Sequence, residues 1–271
     1  MKTTSVTDRS GENPEPSTTR TYAAPALDKG LDILELLCEL EVPLTQKEIA
    51  KKLGRTVGEI YRMLTCLVDR KYVSAINDSY YITTKLFELA HRNPPTQRLL
   101  IEARPIMQTL SSDLDQSCHL TVFGQGKQVV IAKVDVASGM GFSVRVGAEI
   151  DVIASASGRV LLAFQDETSQ AFLIAEAAKR SPEQASPEVP SVLKMIRERG
   201  YESAASIQVR GLYAVSYPIL DTQGRAIAAL TVPYAERIDQ PSRKSISDVE
   251  IALAQAASQL SSSIGGPSPL R

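Results

Sequence analysis

Few residues in this sequence have the types and spacing that covalent catalysis needs. The chain has two histidines, His91 and His119, and three cysteines. His119 directly follows Cys118, but neighbouring residues on a strand point to opposite faces, so these side chains are poorly placed as a base and a nucleophile. Ser155 and Ser157 lie outside a Gly-x-Ser-x-Gly elbow, and the spacing of Cys and His does not suggest zinc. The sequence therefore argues against an enzyme, and we expect neither a cofactor nor a metal.

A different chemistry, the neutralisation of phosphate charge, is indicated by a basic segment between Pro43 and Tyr72. This segment has seven basic and three acidic residues, a local charge of +4 in a chain whose net charge is −1. Its basic residues are Lys47, Lys51, Lys52, Arg55, Arg62, Arg70 and Lys71. Lys and Arg neutralise the phosphates of DNA, but the same charge is also typical of a solvated helix face. The elements that carry these residues decide between the two.

Two helix-start signals, eleven residues apart, position the basic segment. Thr45 is followed by Glu48, and Thr56 by Glu59. Each pair fits a capping box, in which the threonine hydroxyl accepts from a free amide and the glutamate accepts from the amide of the cap. Gly54 permits a tight reversal between the two helices. The apolar face of the second helix, expected to pack inward, is Val57, Ile60, Met63, Leu64 and Leu67. Its solvent face is Gly58, Tyr61, Arg62, Thr65 and Asp69.

Two helices joined in this way make a helix-turn-helix, whose second helix enters the major groove of DNA. Strands predicted at 72–76 and 80–83 would form a wing after it. The alternative is an αα-hairpin in a helical bundle, which would need neither outward arginines nor a following hairpin. We predict that the residues contacting DNA are Gln46, Lys47, Arg55, Thr56, Val57, Gly58, Tyr61, Arg62, Thr65 and Tyr80.

The remaining sequence predicts an α+β protein. Residues 1–22, rich in Ser, Thr, Pro and Glu, are expected to be disordered. Leucines at helical spacing predict a first helix from Ala26 to about Glu41. Asn93-Pro94-Pro95 is a candidate domain boundary. Beyond it, helices are predicted at about 96–114, 154–164, 167–178, 190–199 and 245–263. Strands are predicted in a hairpin at 119–134 and at 142–146, 201–207, 213–220 and 225–232.

Several segments, taken in order, resemble the IclR family of bacterial transcriptional regulators. They are ALDKGLDILELL, LTQKEIAKKLGRTVGEIYRMLTCLVDRKYV, YYITTKLFELA, IASASGRVLLAF, RERGYES and VRGLYAVSYPILDTQGRAIAALTV. The resemblance covers about 26–264. It implies a winged helix-turn-helix domain joined by a helical linker to a GAF/PAS-like antiparallel-sheet domain that binds an effector. The expected regions are a disordered tail at 1–22, the DNA-binding domain at 23–88, the linker at 89–102, the effector-binding domain at 103–265 and a tail at 266–271.

The resemblance also implies an effector site. When the pocket positions of the family are transferred to this sequence one by one, the residues expected to line the site are Ser155, Ala156, Ser157, Ala214, Ser216, Thr231 and Pro233. Family members commonly have a serine at the place of Gly58, an acidic residue at the place of Ala204 and a serine at the place of Pro233, so this chain departs at three positions.

The chemistry of these residues favours an acidic ligand. Free amides at a helix start near Ser155 suit a carboxylate, and the absence of an acid at Ala204 removes a repelling charge. The rival is a purely apolar ligand, because Ala204 and Pro233 also make the site less polar. Small side chains alternating with bulky ones around Ala214 predict a cavity, although they also fit close helix packing.

Together, the residues and the family resemblance predict a DNA-binding repressor of a catabolic operon, controlled by an organic or aromatic acid. The alternative is a small-molecule-processing enzyme with a GAF-like domain and a helical N-terminal interaction module. The expected partners are a palindromic double-stranded operator, the effector and further copies of the chain, as a dimer or a dimer of dimers. Membrane binding is not expected, because no apolar run could span a bilayer. Three well-separated cysteines predict reduced thiols and a cytoplasmic location.

Overall fold

The computed structural model describes residues 24–40, 42–92, 94–124, 126–137, 141–182, 186–236 and 244–269. The predicted tail at 1–22 lies outside the described residues, as do the last two residues of the predicted tail at 266–271. The described residues up to Ala90 form one compact unit and those from His91 onward form a second. In the part of the chain that is described, no helix is long and apolar enough to cross a membrane.

The first unit is a helical domain with a small sheet. Its elements are α1 (Pro25–Glu39), β1 (Leu44–Thr45), α2 (Gln46–Lys52), α3 (Val57–Asp69), β2 (Val73–Ile76), β3 (Ser79–Ile82) and α4 (Lys85–His91). The strands form an antiparallel sheet in the order β1-β3-β2. The turn between β2 and β3 places Asn77 and Asp78 at positive φ, which Asn and Asp tolerate better than most residues. The two predicted wing strands are therefore confirmed.

Both predicted capping boxes form. The Thr45 hydroxyl accepts from the Glu48 amide at 3.3 Å, and the Thr45 amide donates to the Glu48 carboxylate at 2.8 Å. The second box repeats this arrangement, with Glu59 N to Thr56 Oγ1 at 3.4 Å and Thr56 N to Glu59 Oε2 at 2.8 Å. Gly54 has a φ of +64° between the two helices, as the reversal requires. Short-range hydrogen bonds thus set where α2 and α3 begin.

The core of the first unit collects the inward faces of its helices. Its buried residues are Ile33, Leu37, Leu44, Ile49, Ala50, Ile60, Leu64 and Val73. The prediction that Val57 packs inward is wrong, because this side chain is 40% exposed. Val57 is the first residue of α3, and the turn after Gly54 leaves that end of the helix outside the core.

The second unit is built on a six-stranded antiparallel sheet. Its helices are α5 (Pro94–Leu114), α6 (Ala156–Ala163), α7 (Glu167–Arg180), α8 (Val189–Arg199) and α9 (Ile246–Ser263). Its strands are β4 (Cys118–Gly124), β5 (Lys127–Val134), β6 (Glu149–Ile150), β7 (Glu202–Ala205), β8 (Leu212–Leu220) and β9 (Ala226–Ala235). The strand order is β6-β5-β4-β9-β8-β7.

Two hydrophobic cores flank this sheet. One contains the apolar residues of α5 and α9, including Met107 and Leu253, and the other those of α6 and α8, including Leu161 and Leu193. The Cys118 thiol donates to the Met107 carbonyl on α5 at 3.5 Å, so this side chain faces the α5 layer. Its neighbour on the strand faces the opposite side.

One local prediction for the second unit was wrong. Residues 142–146 alternate like a strand, but they join no strand pair among the described residues, and the edge strand of the sheet is Glu149–Ile150. The helix predicted from about Ala154 is confirmed and begins at Ala156, because Ser155 is its N-cap and accepts from the Gly158 amide at 3.1 Å. The other predicted helices and strands are present within a few residues of their expected ends.

Candidate functional site

The outward face of α3 has the composition of a surface that reads DNA. Gly58, Tyr61, Arg62 and Thr65 are all exposed. The Thr65 hydroxyl donates back to the Tyr61 carbonyl at 3.0 Å, so part of its hydrogen-bonding capacity is already used. Among the described residues, Arg62 makes neither an ion pair nor a side-chain hydrogen bond. Its guanidinium is therefore available to a base edge or a phosphate.

Other predicted contact residues are partly engaged within the unit. Lys47 is exposed, whereas Gln46 is half-buried and donates to the Val57 carbonyl at 3.5 Å. The Thr56 hydroxyl is held by its capping box. Tyr80 is half-buried and packs against the hydrophobic core of the unit. That any of these residues contacts DNA stays a prediction.

The start of α3 is joined to α1 by two ion pairs. Arg55 Nη2 lies 2.6 Å from Asp32 Oδ2, and Lys29 Nζ lies 3.3 Å from Glu59 Oε1. Hydrogen bonds from Thr56, with a smaller effect of Lys29, lower the pKa of Glu59 to about 2. Arg55 thus has a positioning role within the unit, which the sequence reasoning did not foresee.

The second unit contains a cavity of about 240 Å³ on the α6 face of its sheet. Of the predicted effector residues, Ser155, Ala156, Ser157, Ala214, Thr231 and Pro233 line it. Ser216 does not line it. Its hydroxyl is fully buried and lies 2.9 Å from the Thr231 hydroxyl, behind the wall of the cavity.

Local hydrogen bonds fix the start of α6 at the cavity wall. Asp151 Oδ1 accepts from the amides of Ile153 and Ala154, at 2.9 and 2.6 Å. The Ser155 hydroxyl donates to the Asp151 carbonyl at 2.6 Å and also accepts from Gln128 Nε2. These bonds leave the amides of the first two helical residues as the groups through which the start of α6 can bind an anion.

Gly158 is required by the same turn. A Cβ at this position would lie 2.1 Å from the Val152 carbonyl oxygen, which no real structure tolerates. The glycine therefore lets the chain before α6 fold tightly against the first turn of the helix.

One charged pair is buried beside the cavity. Arg159 lines it and binds Glu202 through three contacts, Nε–Oε1 at 2.9 Å, Nε–Oε2 at 3.0 Å and Nη2–Oε1 at 2.6 Å. Arg159 Nη1 also donates to the Ile153 carbonyl at 2.9 Å. Burial raises the pKa of Glu202, and its bonds to Arg159 oppose that rise only in part. The guanidinium is thus committed to a partner in the protein.

His119 is one of the polar cavity residues that the sequence reasoning missed. Its side chain is 5% exposed and lines the cavity, and burial lowers its pKa to about 4, so the imidazole is neutral at pH 7. Burial raises the pKa of Cys118 to about 12 and keeps its thiol protonated, on the other face of the strand. The predicted separation of these two residues is confirmed, and the same alternation could have pointed to His119 as a residue on the cavity face of the sheet.

The remaining lining is mostly apolar. It comes from residues that have no motif in the sequence, including Phe142, Val144, Ile150, Ile207 and Val209. Ala204, where the family resemblance implies an acidic residue, also lines the cavity. Within the ranges that the structure describes, no cluster of His, Cys, Asp and Glu could hold a metal ion.

Comparison with known proteins matches both units to family models. The helix-turn-helix domain model of IclR matches residues 26–75, and the C-terminal domain model of the bacterial transcriptional regulator IclR matches residues 95–262. The HTH-type transcriptional regulator KdgR of Escherichia coli K12 is 29% identical over 202 residues, 72% of this chain and 76% of the relative. XynR of the same organism, also an HTH-type transcriptional regulator, is 26% identical over 261 residues, 89% and 98% of the two chains.

Solved structures share the fold. The crystal structure of Thermotoga maritima IclR is 22% identical with a TM-score of 0.67, over 88% of this chain and 98% of that one. An IclR homologue from Microbacterium hydrocarbonoxydans, complexed with 4-hydroxybenzoate, is 18% identical with a TM-score of 0.70 over the same shares, 88% and 98%.

Proposed function

Because the chain belongs to the IclR family of bacterial transcriptional regulators, we propose that it represses a catabolic operon and that a small organic acid controls it. The observation that carries the proposal is the combination of α3, which begins at a capping box and exposes one polar face, in the first unit and a cavity in the second unit. The relatives found are themselves transcriptional regulators. The enzyme alternative has no geometric support, because Cys118 and His119 face opposite sides of the sheet. A cytoplasmic location follows from this function, since the operator lies there.

DNA reading is assigned to α3, with Arg62 as its leading side chain. Arg62→Ala should weaken operator binding by about 1–3 kcal/mol if the guanidinium contacts a base edge. A fluorescence anisotropy assay with DNA selected from a random-sequence library measures this change. The matched control is Lys194→Ala, which removes an equally exposed positive charge from α8 and should leave the affinity within twofold. Unchanged binding by a folded Arg62→Ala protein would remove this residue from the reading surface.

We also infer that the chain acts as a symmetric oligomer on a palindromic operator, as a dimer or a dimer of dimers. One short helix contacts too few base pairs for specificity, so helix-turn-helix proteins pair two half-sites about 34 Å apart. Leu27 and Leu31 on α1 are 61% and 45% exposed, and an interface there would cover them. Analytical ultracentrifugation measures the state. A monomer at micromolar concentration that still protects a single half-site would contradict the inference.

The effector is proposed to be an organic or aromatic acid bound beside the start of α6. The unpaired amides there favour an anion, the apolar lining suits a ring or short chain, and Ala204 adds no repelling charge. The homologue that binds 4-hydroxybenzoate supports an aromatic acid as the class to test first. The rival remains an apolar ligand, which the same lining would accept.

Two hydroxyls distinguish the acid from its rival. Ser157→Val and Thr231→Val should each weaken a bound acid by about 1–3 kcal/mol, because polar ligand atoms lose their partner. With an apolar ligand, both changes should leave the affinity level or improve it. Ser216→Ala is the control for Thr231→Val, since it breaks the same Ser216–Thr231 hydrogen bond without changing the lining. Calorimetry with the best hit of a thermal-shift screen of carboxylic acids makes the comparison.

A further inference from the structure

His119 is a buried polar side chain that the described structure leaves without a partner. It is 95% inaccessible to solvent, yet none of the hydrogen bonds among the described residues involves its imidazole. Buried polar groups nearly always have a partner. His119 lines the cavity, so a molecule that fills the cavity can supply this partner.

The cavity offers no unpaired positive charge to an anionic ligand. Arg159 is the single cationic side chain of its described lining, and Glu202 occupies it. Glu149, the acidic residue of the lining, is paired with Lys127 and Arg180. A carboxylate entering this space would be desolvated without a countercharge, which is strongly unfavourable. The helix-start amides offset only part of that cost.

The charged groups around His119 are already paired, so only protonation of its imidazole can supply an unpaired positive charge in the cavity. On the neighbouring strand β5, the residue opposite His119 is Lys133. Its ammonium is already bound by Asp135 at 2.9 Å and by Ser143 at 3.2 Å. On the other neighbouring strand, β9, the residue opposite His119 is Thr231, which carries no charge. The α5 layer lies on the other side of the sheet, where Cys118 points. On α6 the charged residue is Arg159, and its countercharge is Glu202 of β7, as above.

We propose that a carboxylate ligand is bound as an ion pair with His119, which takes up one proton from solvent as the ligand enters. The proton adds to the free ring nitrogen, and no bond of the ligand is broken. This inference rests on the proposed acidic effector and adds the group that recognises it. Burial lowers the pKa of His119 to about 4, so the imidazole is neutral at pH 7 before binding, and a neighbouring anion raises the pKa of an imidazole.

The proposal predicts that binding is linked to pH. At pH 7 close to one proton should be taken up per carboxylate bound. The affinity should rise as the pH falls from 8 toward 5, by up to about tenfold per pH unit, because protonation stabilises only the bound state over that range. A neutral isostere of the same shape should show neither effect.

Benzoate and benzamide form a suitable pair of probes, since they differ chiefly in charge. Titration calorimetry of the full-length protein at pH 7, in phosphate and in Tris, gives the number of protons from the difference in buffer ionisation heat. His119→Gln should weaken benzoate binding at least tenfold and abolish proton uptake, while benzamide binding stays within about twofold. The matched control is His91→Gln, which changes the other histidine at the end of α4 and should behave like the wild type.

The possible outcomes separate this inference from the function on which it rests. If the wild type binds benzoate and His119→Gln binds it equally well, or still takes up a proton, the role of His119 is refuted while the acidic effector stands. If the wild type binds no benzoate, both are overturned. Should His119→Gln fail to fold, imidazole ¹⁵N spectra of the wild type decide instead. With only two histidines in the chain, benzoate must shift one ring toward the imidazolium form, and its absence refutes the proposal.

Discussion

Removing the carboxylate of Glu202 should destabilise the second unit strongly, because the charge of Arg159 would then be buried alone. Glu202→Gln keeps the length of the side chain and one acceptor oxygen but removes the negative charge. Arg159 cannot respond by losing its proton, since a guanidinium stays protonated in proteins. The unpaired charge of Arg159 therefore persists from pH 5 to pH 8.

The size of the effect follows from the burial of the pair. Breaking a buried ion pair by removing one partner costs about 3–5 kcal/mol. The side chains of Arg159 and Glu202 keep 14% and 9% exposure, and the guanidinium keeps its bond to the Ile153 carbonyl, so we take the lower end, about 3 kcal/mol. For a unit of this size, each kcal/mol changes the Tm by roughly 2–4 °C, so a fall of about 6–12 °C is expected.

Removing Arg159 instead of Glu202 should destabilise the protein by an amount that depends on pH. Arg159→Met leaves Glu202 buried, and burial already raises the pKa of this carboxyl. A carboxyl whose pKa is higher in the folded protein than in the unfolded chain gives stability that is present at low pH and lost as the pH rises. Arg159→Met should thus be less destabilising at pH 5 than at pH 8. Replacing both residues with apolar side chains should recover much of the loss, as buried pairs often allow.

Differential scanning calorimetry of the full chain measures these changes. The matched control is Glu176→Gln, which breaks the far more exposed pair with Lys179, whose two side chains are 32% and 71% exposed. Surface pairs contribute about 0–1 kcal/mol, so the control should change the Tm by no more than a few degrees. A Glu202→Gln protein as stable as the Glu176→Gln control would refute the reasoning that burial isolates the guanidinium.

Two further predictions concern the helix starts. Because hydrogen bonds from Thr56 lower the pKa of Glu59 to about 2 from an ordinary 4.5, its ionised form adds stability that is full above pH 4.5 and is lost as the pH falls toward 2. Glu59→Gln should be less stable than the wild type above pH 4.5, and the difference in free energy of unfolding should shrink as the pH falls toward 2. A difference that stays constant over this pH range would contradict the prediction. Gly158→Ala should cost about 1–3 kcal/mol because of the clash with Val152. Gly30→Ala in α1, where a Cβ meets nothing within 4 Å, is its control in urea unfolding, and equal effects would refute the clash.

The sequence by itself determined the features that rest on short-range interactions. Each capping box joins residues three positions apart, so Thr45 and Thr56 marked the starts of α2 and α3 without reference to the rest of the chain. Apolar spacing fixed the buried face of α3 at Ile60 and Leu64. The ordered IclR-like segments then placed the start of α6 and the β8–β9 hairpin at one site, and all but Ser216 of the predicted effector residues line the cavity.

Only the tertiary structure decided which distant side chains meet. Arg159 and Glu202 are 43 residues apart, and their pairing depends on packing α6 against β7. His119 comes to face Thr231 only through the register of β4 with β9. The alternating segment 142–146 stays unpaired while Leu44–Thr45 becomes a strand. Strands and buried polar sites depend on partners far along the chain, and a local pattern cannot specify those partners because it records propensity but not proximity.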